Sequence, residues 1–202
     1  MTVVDAPKGA ELSPIEAWSR RVRLVGGIIQ VAFAAFWLVR GSHNVGGSVA
    51  VPLGVVFGAV ALGVFAYGLR VTAGAGPRPT SVEGRRIERA VTAATIVQLG
   101  ASFAAPLIVT AAGHTDWVLP SIAITIGPLL LWLDHRVHIP RYRPVGWALI
   151  VGPVLLVATM SGSALAATTG ITAGVLLLAT AAAGFHDLAA IRPVARRVKQ
   201  AL

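Results

Sequence analysis

The sequence predicts an all-α fold, a polytopic transmembrane helical bundle of six spans arranged as three hairpins, and three observations carry that prediction. Of 202 residues, 55% are hydrophobic and only 12% charged, whereas soluble domains carry roughly a quarter charged residues. The apolar residues form long blocks near 24–40, 48–69, 90–112, 117–133, 144–160 and 164–186, close to the roughly 20 residues that a bilayer-crossing helix requires. The basic residues gather in alternate breaks between those blocks, the pattern that sets membrane orientation.

Residues 1–23 form the expected N-terminal segment. It contains acids and lacks a short apolar stretch followed by a small-residue cleavage site, so no cleaved leader is expected. Ser13-Pro14-Ile15-Glu16 is a capping pattern that starts a short amphipathic helix. The first span is bracketed by Trp18 and Trp37. Trp117, Trp132 and Trp147 fall at the ends of the shorter fourth and fifth spans, so all five tryptophans are expected at headgroup level. The connection from Val71 to Arg89 holds Gly74-Ala75-Gly76-Pro77 and then Thr80-Ser81-Val82-Glu83, a break followed by a capping box for the third helix. Residues 187–202 are a basic tail.

All 17 lysines and arginines except Arg40 lie on one side of this scheme. Both termini are therefore expected in the cytoplasm, and the bias toward Arg, Ala, Val and Gly points to a bacterial inner membrane. Reporter fusions after Gly113 and Ser161 are expected to read outside, and fusions after Gly76, Arg141 and Leu202 inside. A reversed pattern would overturn the scheme. The formal charge of +9 is explained by this topology; nucleic acid is not an expected partner, because the basic residues form no single stripe with interleaved aromatics. The absence of cysteine excludes a disulfide framework and a thiolate nucleophile.

An ionisable group deep in a span is the strongest functional cue in a membrane protein. All eight acids here fall outside or at the rim of a span, which argues against carboxylate-driven proton antiport. The deepest strongly polar side chains are Gln30 and Gln98, each nine positions beyond an arginine, or about 13 Å along a helix. They are read either as a polar lining for a small solute or as an interhelical hydrogen bond between the first and third spans. Arg21 and Arg89, Ile28 and Ile96, Gln30 and Gln98, and Pro52 and Pro120 share one constant offset, consistent with a parallel repeat of the first two hairpins.

The densest polar cluster is at the cytoplasmic rim, where Asp134, His135 and His138 leave the fourth span and His186 and Asp187 leave the sixth. Imidazole and carboxylate suit zinc or manganese, so the cluster is read either as a metal or proton site or as solvated rim residues, with Asp134 paired to Arg136, Arg141 or Arg143. On the other side, His43 with Asn44 and His114 with Asp116 read as headgroup-level loop residues. Gly54 with Gly58 and Gly170 with Gly174 are G-x-x-x-G pairs, which let helix backbones approach closely in lipid.

The stretch from Ile126 to Gly146 resembles a hairpin in a family of small, uncharacterised bacterial polytopic membrane proteins, over residues 117–150. The family pattern is an apolar run with G-x-H-F-x-P-L, a basic turn, P-x-Y and a glycine. Gly127, Leu133, Pro140, Tyr142 and Gly146 match it in order. The His-Phe pair falls on Leu129 and Leu130 and the first proline on Trp132, so the histidine's role does not carry over. The resemblance implies a hairpin architecture and no reaction.

These residues together predict a membrane protein with no catalytic centre and no cofactor, acting as an accessory or scaffold protein or binding a lipid or apolar metabolite. One alternative is a small-solute transporter or channel using Gln30 and Gln98. Another is an interfacial enzyme using Asp134, His138 and His186. Expected partners are the lipid bilayer and a second copy or another membrane protein.

Overall fold

The computed structural model describes residues 14–72, 82–137, 139 and 141–200. Six helices occur in order: α1 (Pro14–Val45), α2 (Ala50–Thr72), α3 (Val82–Ala111), α4 (Val118–Val137), α5 (Tyr142–Thr159) and α6 (Gly162–Gln200). Among the described residues there is no strand. Each helix contains a stretch long and apolar enough to cross a membrane. In lipid such a helix satisfies its own backbone donors and acceptors, which is why this composition yields helices rather than an open sheet.

The boundaries differ from the sequence reading at both ends of α1. The capping pattern at Ser13-Pro14-Ile15-Glu16 does not open a separate helix, because α1 runs unbroken from Pro14. Arg40 does not end the helix either. Its side chain is exposed, Ser42 Oγ donates to the Val39 carbonyl at 3.0 Å, and Asn44 Nδ2 donates to the Arg40 carbonyl at 2.7 Å. With its polar side chains satisfied locally, the helix continues to Val45. The turn comes at Gly46 and Gly47, with φ of 75° and 62°, a conformation that strongly favours glycine. The turns before α4 and at the start of α6 use Gly113 and Gly162 in the same way.

The largest interface joins α1 to α6, the first and last helices, followed by α4 with α5, α1 with α2, and α3 with α4. Helix α5 touches α6 much less than it touches α4. Glycines set these contacts. A Cβ on Gly170 would lie 2.6 Å from the Gly41 Cα, and one on Gly41 would lie 2.6 Å from the Ile171 backbone nitrogen. Gly174 brings α6 against Leu38. Of the other G-x-x-x-G pair, Gly54 faces Ser42 on α1, while Gly58 has nothing within 4 Å. Between α4 and α5, a Cβ on Gly127 would lie 2.6 Å from the Gly146 carbonyl oxygen, so these two glycines carry a close crossing of the fourth and fifth helices.

Trp37 does not stand on the outer surface of the bundle, as a lipid-facing interfacial anchor would. It is wholly buried, and its indole N–H has no hydrogen-bond partner among the described residues. The cause is the α1–α6 approach at Gly41 and Gly170, which turns this face of α1 into the bundle core. Trp117 and Trp147 are exposed, as expected of groups outside the core.

Candidate ligand-binding cleft

Helices α1 and α3 diverge. They make few contacts with each other, because α1 is held by α6 and α2 while α3 packs mainly on α4. A cavity of about 440 Å³ fills the gap, within the roughly 300–1,000 Å³ typical of small-molecule sites. Helix α1 supplies Val25, Gly26, Ile29, Gln30 and Phe33. The floor is Ile126, Leu129, Leu130 and Leu133 of α4, closed by Ile139, Tyr142 and Leu177. Val25, Ile29 and Leu99 on the α1 and α3 rims are exposed, so the cleft opens sideways between these helices.

The α3 wall carries Glu88, Val91, Thr92, Thr95, Gln98 and Leu99. Glu88, Thr92, Thr95, Gln98 and Ser102 recur every three or four residues and therefore share one helix face. Thr92 donates to the Glu88 carbonyl at 2.8 Å and Thr95 to the Val91 carbonyl at 2.9 Å. Both hydroxyls keep acceptor capacity toward the cleft. This polar stripe was legible in the sequence as a spacing; reading Gln98 alone overlooked Thr92 and Thr95. Tyr142, matched in the sequence only as part of a pattern, is buried and contributes to the closed end.

Gln30 and Gln98 line the same cavity, each 8% exposed, yet their surroundings differ. Gln98 Nε2 donates to Ser102 Oγ at 2.7 Å, and Ser102 Oγ lies 2.8 Å from Thr125 Oγ1. Thr125 in turn donates to the Ile122 carbonyl at 2.7 Å, so Gln98 belongs to a chain joining α3 to α4. The Gln30 amide makes no hydrogen bond to any described residue. The interhelical bond considered for the pair is therefore replaced by two separate environments.

At the rim, the structure distributes the charged residues into ion pairs. Arg141 pairs with Asp187, and Arg143 Nε lies 3.7 Å from Asp134 Oδ2. His135 and His186 are exposed, and His138 lies outside the described residues. Among the described residues no group of three or more His, Asp or Glu side chains is positioned to hold a metal. At the opposite end, the His114 ring stacks on Trp117 with centroids 4.2 Å apart. Asp116 accepts a hydrogen bond from the Gly162 backbone N–H at 3.1 Å, which fastens the start of α6 to the turn before α4.

Compared with known proteins, the chain matches no protein-family model, no curated protein and no solved structure.

Proposed function

We propose that this protein is a non-catalytic binding protein of the bacterial inner membrane that holds a lipid or apolar metabolite in the α1–α3 cleft and serves an accessory role there. The observation that supports this reading is the cleft itself, a cavity of about 440 Å³ walled mainly by Leu, Ile and Val and provided with two amides, two threonine hydroxyls and the Glu88 carboxylate near the start of α3. Apolar walls with a few placed polar groups are the usual composition of a small-molecule site. In this reading both termini are cytoplasmic, and the spans follow one another as three hairpins in chain order. Its partners are bilayer lipid and a second copy or another membrane protein. Kinship with the small bacterial family that residues 117–150 resemble belongs to the same proposal and adds architecture alone.

Native mass spectrometry of the protein released directly from its membranes tests the binding reading. The wild type is expected to retain one small molecule per chain. Thr95→Trp, which places an indole in the cavity, is expected to lose at least about nine-tenths of it while eluting as the wild type does. Equal retention by both proteins, or a bare wild type, would sink the proposal.

Transport by way of Gln30 and Gln98 is the second reading, favoured by their shared cavity. The α1–α6 contact at Gly41 and Gly170 and the buried Trp37 pack the bundle on the far side of the glutamines, which favours retention over passage.

A further inference from the structure

The cleft is lined by hydrocarbon over most of its wall, and a purely apolar occupant would need nothing more. Gln30 breaks that wall. It is more than nine-tenths buried, and its amide, with two donors and an acceptor, has no partner among the described residues. An unpaired buried amide is costly, and more so in a membrane, where water is not at hand to satisfy it. Gln98, by contrast, is engaged through Ser102 and Thr125. The space on the other side of Gln30, beside Tyr142 and Thr180, measures only about 10 Å³, which is room for one water at most. An organic partner for this amide therefore has to come from the main cavity.

We infer, building on the binding reading above, that the ligand is a neutral amphiphile bound with its polar end inward, its hydroxyl or carbonyl oxygen pairing with the Gln30 amide and its hydrocarbon tail leaving between α1 and α3. The class follows from three features. The tail matches the leucine and isoleucine floor of α4 and the open side of the cleft. The polar end matches an amide on α1 and the Thr95 hydroxyl on the α3 wall of the same cavity, both uncharged. Among the described residues no lysine or arginine lines this cavity, whereas the acid Glu88 does, and Arg141, on the small space behind Gln30, is already paired with Asp187, so a phosphate or carboxylate in the cavity would lack a free counter-charge and be strongly disfavoured. A phospholipid lying in the cleft with its headgroup at the surface would leave Gln30 unpaired.

The test uses the full chain in phospholipid nanodiscs, with radiolabelled farnesol as probe and farnesene, the corresponding hydrocarbon without the hydroxyl, as competitor. Empty nanodiscs correct for partitioning. Farnesol is expected to bind saturably, and farnesene to compete about tenfold less well, the scale of one buried hydrogen bond. In Gln30→Met, which keeps side-chain length without the amide, farnesol affinity is expected to fall about tenfold and the preference over farnesene to disappear. Equal competition by farnesene in the wild type, or a preference that survives Gln30→Met, overturns the polar-end-inward inference and leaves the binding reading intact. No saturable binding of either compound overturns both. The wild-type comparison of the two compounds decides the matter even if the variant fails to fold.

Discussion

Gly170→Leu is expected to separate α1 from α6 and to produce the largest loss of stability of any single substitution in the bundle, at least about 3 kcal/mol, at the top of the range for overpacking. The position admits no relaxation by side-chain movement. A Cβ there meets the Gly41 Cα at 2.6 Å, the Gly41 nitrogen at 2.9 Å and the Trp37 carbonyl oxygen at 3.0 Å, all backbone atoms. One helix must therefore move away from the other, and the contacts of Trp37, Leu38 and Leu177 in the buried core are lost with it. Because lipid tails are as apolar as the side chains, association of spans rests on close packing rather than on exclusion from water. Even Gly170→Ala is expected to destabilise, although alanine is the better helix former by about 1 kcal/mol. Gly58→Ala supplies the control, since nothing lies within 4 Å of its added Cβ; it is expected to be neutral or slightly stabilising. Unfolding of the three variants in mixed micelles, followed by circular dichroism, measures the order. A Gly170→Ala protein as stable as Gly58→Ala would refute the account of the α1–α6 interface.

Phe185→Ala is expected to cost about 3 kcal/mol, measured by the same unfolding transition. The ring is wholly buried and lies between α1 and α2, where a Cβ added to Gly27 would come within 2.7 Å of it and Gly68 makes a similarly close approach. Two helices have surrendered their side chains to admit one aromatic, so nothing nearby can fill the space when it is removed. Large-to-small changes of this kind cost roughly 3–5 kcal/mol in water-soluble cores. The lower end applies here because the unfolded reference is in lipid, leaving lost dispersion contacts and an unfilled cavity as the main penalty. Gly68→Ala, pressed against the same ring from α2, is expected to be harmful for the complementary reason, and combining it with Phe185→Ala is expected to recover part of the loss. Strict additivity of the two changes would show that they do not share a cavity.

The helical class, the six helices long and apolar enough to cross a membrane and most of their positions follow from the sequence alone, because in a bilayer each span must be continuous, apolar and about as long as the hydrocarbon is thick. Those are local properties, written in consecutive residues. The same spacing logic identified Gly170 and Gly174 as packing residues, since a small side chain every fourth position is visible without coordinates, but it selected Gly58 as well, which packs against nothing within 4 Å. Partners across the bundle were not legible. Nothing in the local pattern distinguishes the face of α1 that meets α6 from the face that meets lipid, since both are apolar; hence Trp37 read as an interfacial anchor and is a core residue. For the same reason Gly27 and Gly68 carried no signal until Phe185 was seen between them. The cleft depended most on tertiary structure. It exists because α1 is held by α6 and α3 by α4, which leaves the two glutamine-bearing helices apart, and the same geometry engages Gln98 while leaving the Gln30 amide without a partner among the described residues. Helix formation in lipid is decided by composition, whereas helix pairing is decided by which small surfaces fit, and fit is a property of two segments at once.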